Sequence, residues 1–131
     1  MSDELRFEIT RWEESVYGDG DALYDRAAPG PPTVRVRMAK RWSGLLEGES
    51  VGELQTCGQE GYLATERVSG TLAGRRGSFV LQHGAMGAEG EPPRQFAWVV
   101  PGSGTGELTG LRGEGRVDHG VLTLDWSLAA D

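Results

Sequence analysis

Two runs of alternating residues flank a glycine turn between Gly61 and His83, and this stretch restricts the fold more than any other. The first run extends from Gly61 to Leu72, a turn follows at Ala73-Gly74-Arg75, and the second extends from Arg76 to His83. Alternating runs around a short Gly-containing turn specify a β-hairpin. Side chains on a strand point alternately to opposite faces. One face of the first strand therefore carries Tyr62, Ala64, Glu66, Val68 and Leu72, and the other Leu63, Thr65, Arg67, Ser69 and Thr71. The second strand gathers Phe79, Leu81 and His83 on one face. Each apolar face thus contains one ionisable group, Glu66 or His83. A carboxylate on a buried face is costly unless it is paired or neutralised, so these two residues are the first candidates for a functional site.

Glycine supports the same architecture. There are 21 glycines among 131 residues, well above the usual share, with no collagen-like period. They fall between apolar runs, where turns and bulges need them. A chain of this length predicts one domain with a real core. The formal net charge is −7, and no basic face suggests nucleic acid as a partner. The single cysteine, Cys57, cannot form an intrachain disulfide, argues against a cysteine metal site, and suits a reducing compartment, which predicts the cytoplasm. The acidic Met1-Ser2-Asp3-Glu4 start has no apolar signal segment. No apolar run approaches the ~20 residues of a membrane-spanning helix.

Along the chain, Leu5, Phe7 and Ile9 alternate with Arg6, Glu8 and Thr10 in a first strand. The region 13–32, rich in Gly, Asp and Pro, reads as a long loop; Tyr17 and Tyr24 within it are candidates to cover a barrel mouth, against the plainer reading of a surface loop. Thr33 to Ser43 forms a second strand, with Val34, Val36, Met38, Lys40 and Trp42 on one face and Arg35, Arg37, Ala39 and Arg41 on the other. The arginine row is a solvated face or an anion clamp, in which Arg37 is a candidate for holding a carboxylate. Leu45 to Leu54 makes a third strand, with Gly44, Gly48 and Gly52 marking bends. After a loop from Gly84 to Pro93, Arg94 to Val100 forms a strand with Phe96, Trp98 and Val100 on one face. The last strand, Val121 to Leu128, turns Leu122, Leu124, Trp126 and Leu128 one way. No helical apolar period of useful length occurs. Eight or nine regularly spaced strands predict an all-β fold, a single closed antiparallel β-barrel of about eight strands. Closure removes the sheet edges, and this strand number leaves room for packed side chains or one small ligand.

The candidate site follows from that wall. Glu66 and His83 are candidate catalytic residues for general acid–base work, or else a structural contact near the barrel end. A tight turn at Gly74 pairs Glu66 near position 82, and a one-residue bulge brings it beside His83, so Gln82 is kept as a polar liner. Trp42, Tyr62, Phe79, Trp98 and Trp126 are candidate walls of an apolar cavity, or plain core. Neither His83 nor His119 has metal-ligand spacing, and Asp118-His119-Gly120 reads as a hairpin turn. No Gly-x-Ser-x-Gly elbow is present, and Gly102-Ser103-Gly104-Thr105-Gly106 lacks the lysine and helix of a phosphate loop. No metal or cofactor is expected.

Five stretches carry a family resemblance: Trp12-Glu13-Glu14, Ser43 to Ser50, Glu66 to Leu72, Gly77 to His83 and, most of all, Ser103 to Gly113. They resemble a bacterial family known only as a domain of unknown function, with an allene oxide cyclase-like barrel. The Gly-Thr-Gly and following Arg-Gly also resemble dirigent proteins and allene oxide cyclases, whereas Gly77 to His83 matches the unknown-function family alone. The resemblance implies a small barrel with an apolar cavity, often a homo-oligomer, that handles a hydrophobic intermediate without an organic cofactor. It transfers no catalytic residue. The expected function is binding of a small apolar molecule, with cofactor-independent cyclisation or isomerisation as the chemistry; a non-catalytic carrier or interaction barrel is the alternative.

Overall fold

The hairpin that dominates the sequence is paired without interruption. In the computed structural model, which describes residues 2–16 and 30–128, β4 (Gly61–Leu72) and β5 (Arg75–Met86) pair along their full lengths, from Gly61↔Met86 to Leu72↔Arg75. The turn between them has only two residues. Ala73 (φ 49°) and Gly74 (φ 83°) both take the left-handed conformation, which matches the twist of the flanking strands. The register settles the question left open by the sequence. Glu66 lies opposite Leu81, and His83 opposite Ala64. All four share the inner face without any bulge, and Gln82 faces outward.

The remaining strands are β1 (Ser2–Val16), β2 (Thr33–Ser43), β3 (Leu46–Cys57), β6 (Arg94–Val99), β7 (Leu111–Asp118) and β8 (Val121–Leu128), with a short 3₁₀ turn at Gly106–Leu108. Each strand pairs antiparallel with the next, and β1 returns to β8, so eight strands close a barrel. Closure runs through Ser2–Arg6 against Val121–Asp125. β1 continues well beyond that joint along β2, up to Val16↔Val34. Of the expected loop at 13–32, residues 13–16 are strand; Tyr17 and Tyr24 lie outside the described residues. β5 likewise extends to Met86, into the expected loop at 84–93. The joint between β6 and β7 is the shortest, with Ala97↔Gly115 and Trp98↔Glu114 its only registered pairs.

Two apolar clusters fill the interior. The larger lies toward the β4–β5 turn and includes Leu5, Trp42, Leu46, Val68, Leu72, Phe79, Leu81, Leu111, Leu122 and Leu124, with Trp126 packed against it. The smaller, Val36, Met38, Leu54 and Ala64 with Val34 and Tyr62, lies toward the opposite end. Between them sit the buried polar residues Lys40, Ser50, Glu66 and His83.

Two faces depart from expectation. In β1 the register shifts between Ile9 and Arg11, and Ile9 is half exposed while Leu5 is fully buried. In β6 the inner residues are Ala97 and Val99, and Trp98 is 43% exposed. Both faces of β6 are apolar, so alternation alone could not orient it. Volume decides instead: Ala97 lies opposite His83, and an alanine there leaves space for the imidazole. Trp98 stays outside, 4.4 Å from Phe96 between ring centroids.

Candidate functional site

Four adjacent strands bring the buried polar groups together. Lys40 on β2 is opposite Ser50 on β3, and Glu66 on β4 lies one diagonal step away, opposite Gly52. A Cβ at Gly52 would sit 2.3 Å from the Thr65 carbonyl oxygen and 3.0 Å from Glu66 Cγ, so glycine is what lets β3 pass so close to this carboxylate. His83 on β5 is flanked across the sheet by two small residues, Ala64 and Ala97.

The side chains form one connected network. Lys40 Nζ donates to Glu66 Oε2 at 2.7 Å, and His83 Nε2 meets the same oxygen at 2.5 Å. Ser50 Oγ donates to Glu66 Oε1 at 2.9 Å and accepts from Trp42 Nε1 at 2.9 Å. On the far side of the imidazole, Tyr62 Oη lies 3.0 Å from His83 Nδ1. Lys40 Nζ also sits 4.0 Å from the centroid of the Phe7 ring, a favourable site for a cation. Lys40, Ser50, Glu66 and His83 are each exposed by 3% or less.

Charge and hydrogen-bond direction follow from this geometry. Burial pushes the Glu66 carboxyl up, but the His83 hydrogen bond and the Lys40 charge outweigh it and hold the group below the ordinary carboxylate range. Glu66 is therefore a carboxylate and only accepts. His83 Nε2 must donate to it. Lys40 already balances the negative charge, and an uncharged imidazole leaves the buried cluster neutral, which avoids an unpaired interior cation. In that tautomer Nδ1 accepts, so Tyr62 donates its hydroxyl proton to it. Burial, and then the negative charge of Glu66, push the Tyr62 phenol above its ordinary value.

Tyr62 links this network to a cavity. A mouth of about 470 Å³ opens at the end of the barrel away from the β4–β5 turn, and Trp12, Leu54, Thr56, Tyr62, Ala85 and Gln95 are among its lining residues. A second depression of about 460 Å³ shares Tyr62, Ala85, Met86 and Gln95 but runs past Leu63 and Phe96. Leu63 is exposed on the outer face and Phe96 packs there against Trp98, so this second depression lies on the outside of the wall and the first is the mouth.

The structure brings together Glu66, His83, Tyr62 and Trp42 of the expected residues. Phe79 is inside, in the larger apolar cluster, away from the mouth lining, and Trp126 packs against that cluster with its Nε1 donating to Asp3 at 2.9 Å. Three others lie outside the cavity. Gln82 Nε2 donates to Thr65 on the outer face at 3.3 Å. Trp98 is beside it. Arg37 projects into solvent and pairs with Glu53 at 3.7 Å, because its odd-numbered face is the outer one; Arg41, on that same face, pairs with Glu8 at 2.7 Å. Sequence reasoning did not select Lys40 or Ser50. Parity had placed Lys40 on the face of Val36, Met38 and Trp42, so the signal was present. Among the described residues there is no cluster of three or more His, Cys, Asp or Glu side chains suited to a metal, and no helix long and apolar enough to cross a membrane.

Comparison with known proteins agrees on one relationship. A solved structure from Shewanella oneidensis MR-1, described as a protein with unknown function from the DUF3224 family, is 31% identical to this chain, with a TM-score of 0.80. The match covers 100% of this chain and 98% of that one. No curated protein matches. The family described as "Protein of unknown function (DUF3224)" matches residues 4–122, and this eight-stranded barrel belongs to it.

Proposed function

We propose that the barrel binds a small apolar molecule in its mouth and moves a proton on it without a cofactor, as an isomerase or cyclase does. One observation carries this reading: a hydrogen-bonded chain runs from the buried Glu66 carboxylate through His83 to Tyr62, and Tyr62 lines a mouth whose other walls include Trp12, Leu54 and Ala85. Apolar walls with a few convergent polar groups are the usual form of a small-molecule site. A carboxylate that orients an imidazole, which in turn contacts a hydroxyl, is a recurrent arrangement for general acid–base chemistry. In this reading Tyr62 touches the substrate and His83 takes or returns its proton. Glu66 fixes the tautomer of His83 and stabilises the imidazolium as it forms. The walls hold the substrate near its reactive shape.

The test is binding of a neutral apolar fluorophore, N-phenyl-1-naphthylamine. Saturable binding at one site per chain is expected, with loss of at least about tenfold in affinity, roughly 1.4 kcal/mol, when Ala85→Trp fills the mouth. A folded wild-type protein that shows no saturable fluorescence change overturns the reading.

A further inference from the structure

The direction of the hydrogen bonds determines what the mouth offers a ligand. Glu66, as a carboxylate, accepts from His83 Nε2; with the imidazole uncharged, as the balance between Lys40 and Glu66 favours, Nδ1 accepts the Tyr62 proton across the 3.0 Å contact. The phenol has only one proton to give, and it is already committed inward. What Tyr62 presents to the mouth is an oxygen lone pair. Burial of Lys40, Glu66 and His83 to 3% exposure or less keeps water from supplying a competing arrangement at their end of the chain. We infer that the mouth selects apolar molecules bearing a hydroxyl, whose O–H donates to Tyr62 Oη. This deepens the proposed function and rests on it.

The same chain provides a balanced route for that proton. As the ligand O–H bond breaks, its proton forms a bond to Tyr62 Oη. The proton that Tyr62 held moves to His83 Nδ1. The products are a ligand oxyanion and an imidazolium, with the imidazolium beside the Glu66 carboxylate. No oxidant, reductant or co-reactant is needed. A ligand that offers only an acceptor, such as an ether or ketone oxygen, meets a lone pair and gains nothing unless Tyr62 first breaks its bond to His83.

Two aromatic probes of similar size and shape test this: 2-naphthol, which donates, and 2-methoxynaphthalene, which does not. Wild-type protein is expected to bind the naphthol roughly tenfold more tightly, as one buried hydrogen bond implies. Tyr62→Phe removes the acceptor and keeps the ring; it is expected to abolish that preference. Equal affinity of the two probes for wild-type protein overturns this inference and leaves the apolar-binding reading intact. A Tyr62→Phe variant that folds, binds and still prefers the naphthol also overturns it. Failure of both probes to bind wild-type protein removes the inference together with the reading beneath it. The wild-type comparison needs no variant, so an unfolded Tyr62→Phe protein leaves the test decisive.

Discussion

At the scale of single residues, the buried lysine is the most informative side chain in the barrel. Lys40 and Glu66 form an ion pair that water hardly reaches. Such pairs contribute little net stability, but removing one partner strands the other charge. Lys40→Met is therefore expected to cost about 3–5 kcal/mol near neutral pH in urea unfolding. The sign with pH is fixed. Glu66 is held below its ordinary value of 4.5 when folded, so the wild-type stabilisation is present above that value and is lost as pH falls through the lower folded one. The gap between wild type and Lys40→Met should narrow as the solution is acidified below about 4.5. A gap that does not change with pH would show that Glu66 is not the group stranded. Lys40 also illustrates what could be read in advance. Its parity on β2 was correct, but a lysine near Arg35, Arg37 and Arg41 looks solvated when charge alone is considered. Glu66 and His83 were legible because they interrupt apolar faces without other charges beside them.

At the scale of elements, two hairpins use the same turn. Ala73-Gly74 joins β4 to β5 and His119-Gly120 joins β7 to β8, with φ of 49° and 83° in the first and 48° and 78° in the second. A residue with a Cβ in this region costs roughly 1–2 kcal/mol, whereas glycine and asparagine tolerate it. Ala73→Asn is expected to raise stability by about 0.5–1 kcal/mol and Gly74→Ala to lower it by about 1 kcal/mol or more, both by chemical denaturation. If Gly74→Ala proves neutral, this turn does not fix the register that brings Glu66 and His83 to one face. The turn also marks the limit of sequence reasoning for pairing. A glycine turn was evident, but whether it spans two or three residues changes the partner of Glu66 from Leu81 to position 82. β6 shows a different limit. With apolar residues on both faces, only the narrow space around His83 puts Ala97 inside and Trp98 outside.

At the scale of the whole molecule, strand count and alternation were enough to predict a closed barrel, because each strand has one face that must be buried and no helix is available to cover it. Which end stays open was not predictable. That depends on β1 running past β8 and on the two interior clusters dividing at the polar layer. Closure itself depends on Leu5, which is fully buried and opposite Leu122 at the β1–β8 joint. Leu5→Ala is expected to cost about 2–5 kcal/mol, and amide exchange should accelerate together in β1 and β8. Faster exchange confined to β1 would show that the two strands do not open as one unit.

The wall of this cylinder is not equally strong all the way round. Twelve registered pairs hold β4 to β5, whereas β6 and β7 share two. That joint therefore has the fewest rungs of the hoop, and amide protons of β6 and β7 should exchange sooner than those of β4 and β5.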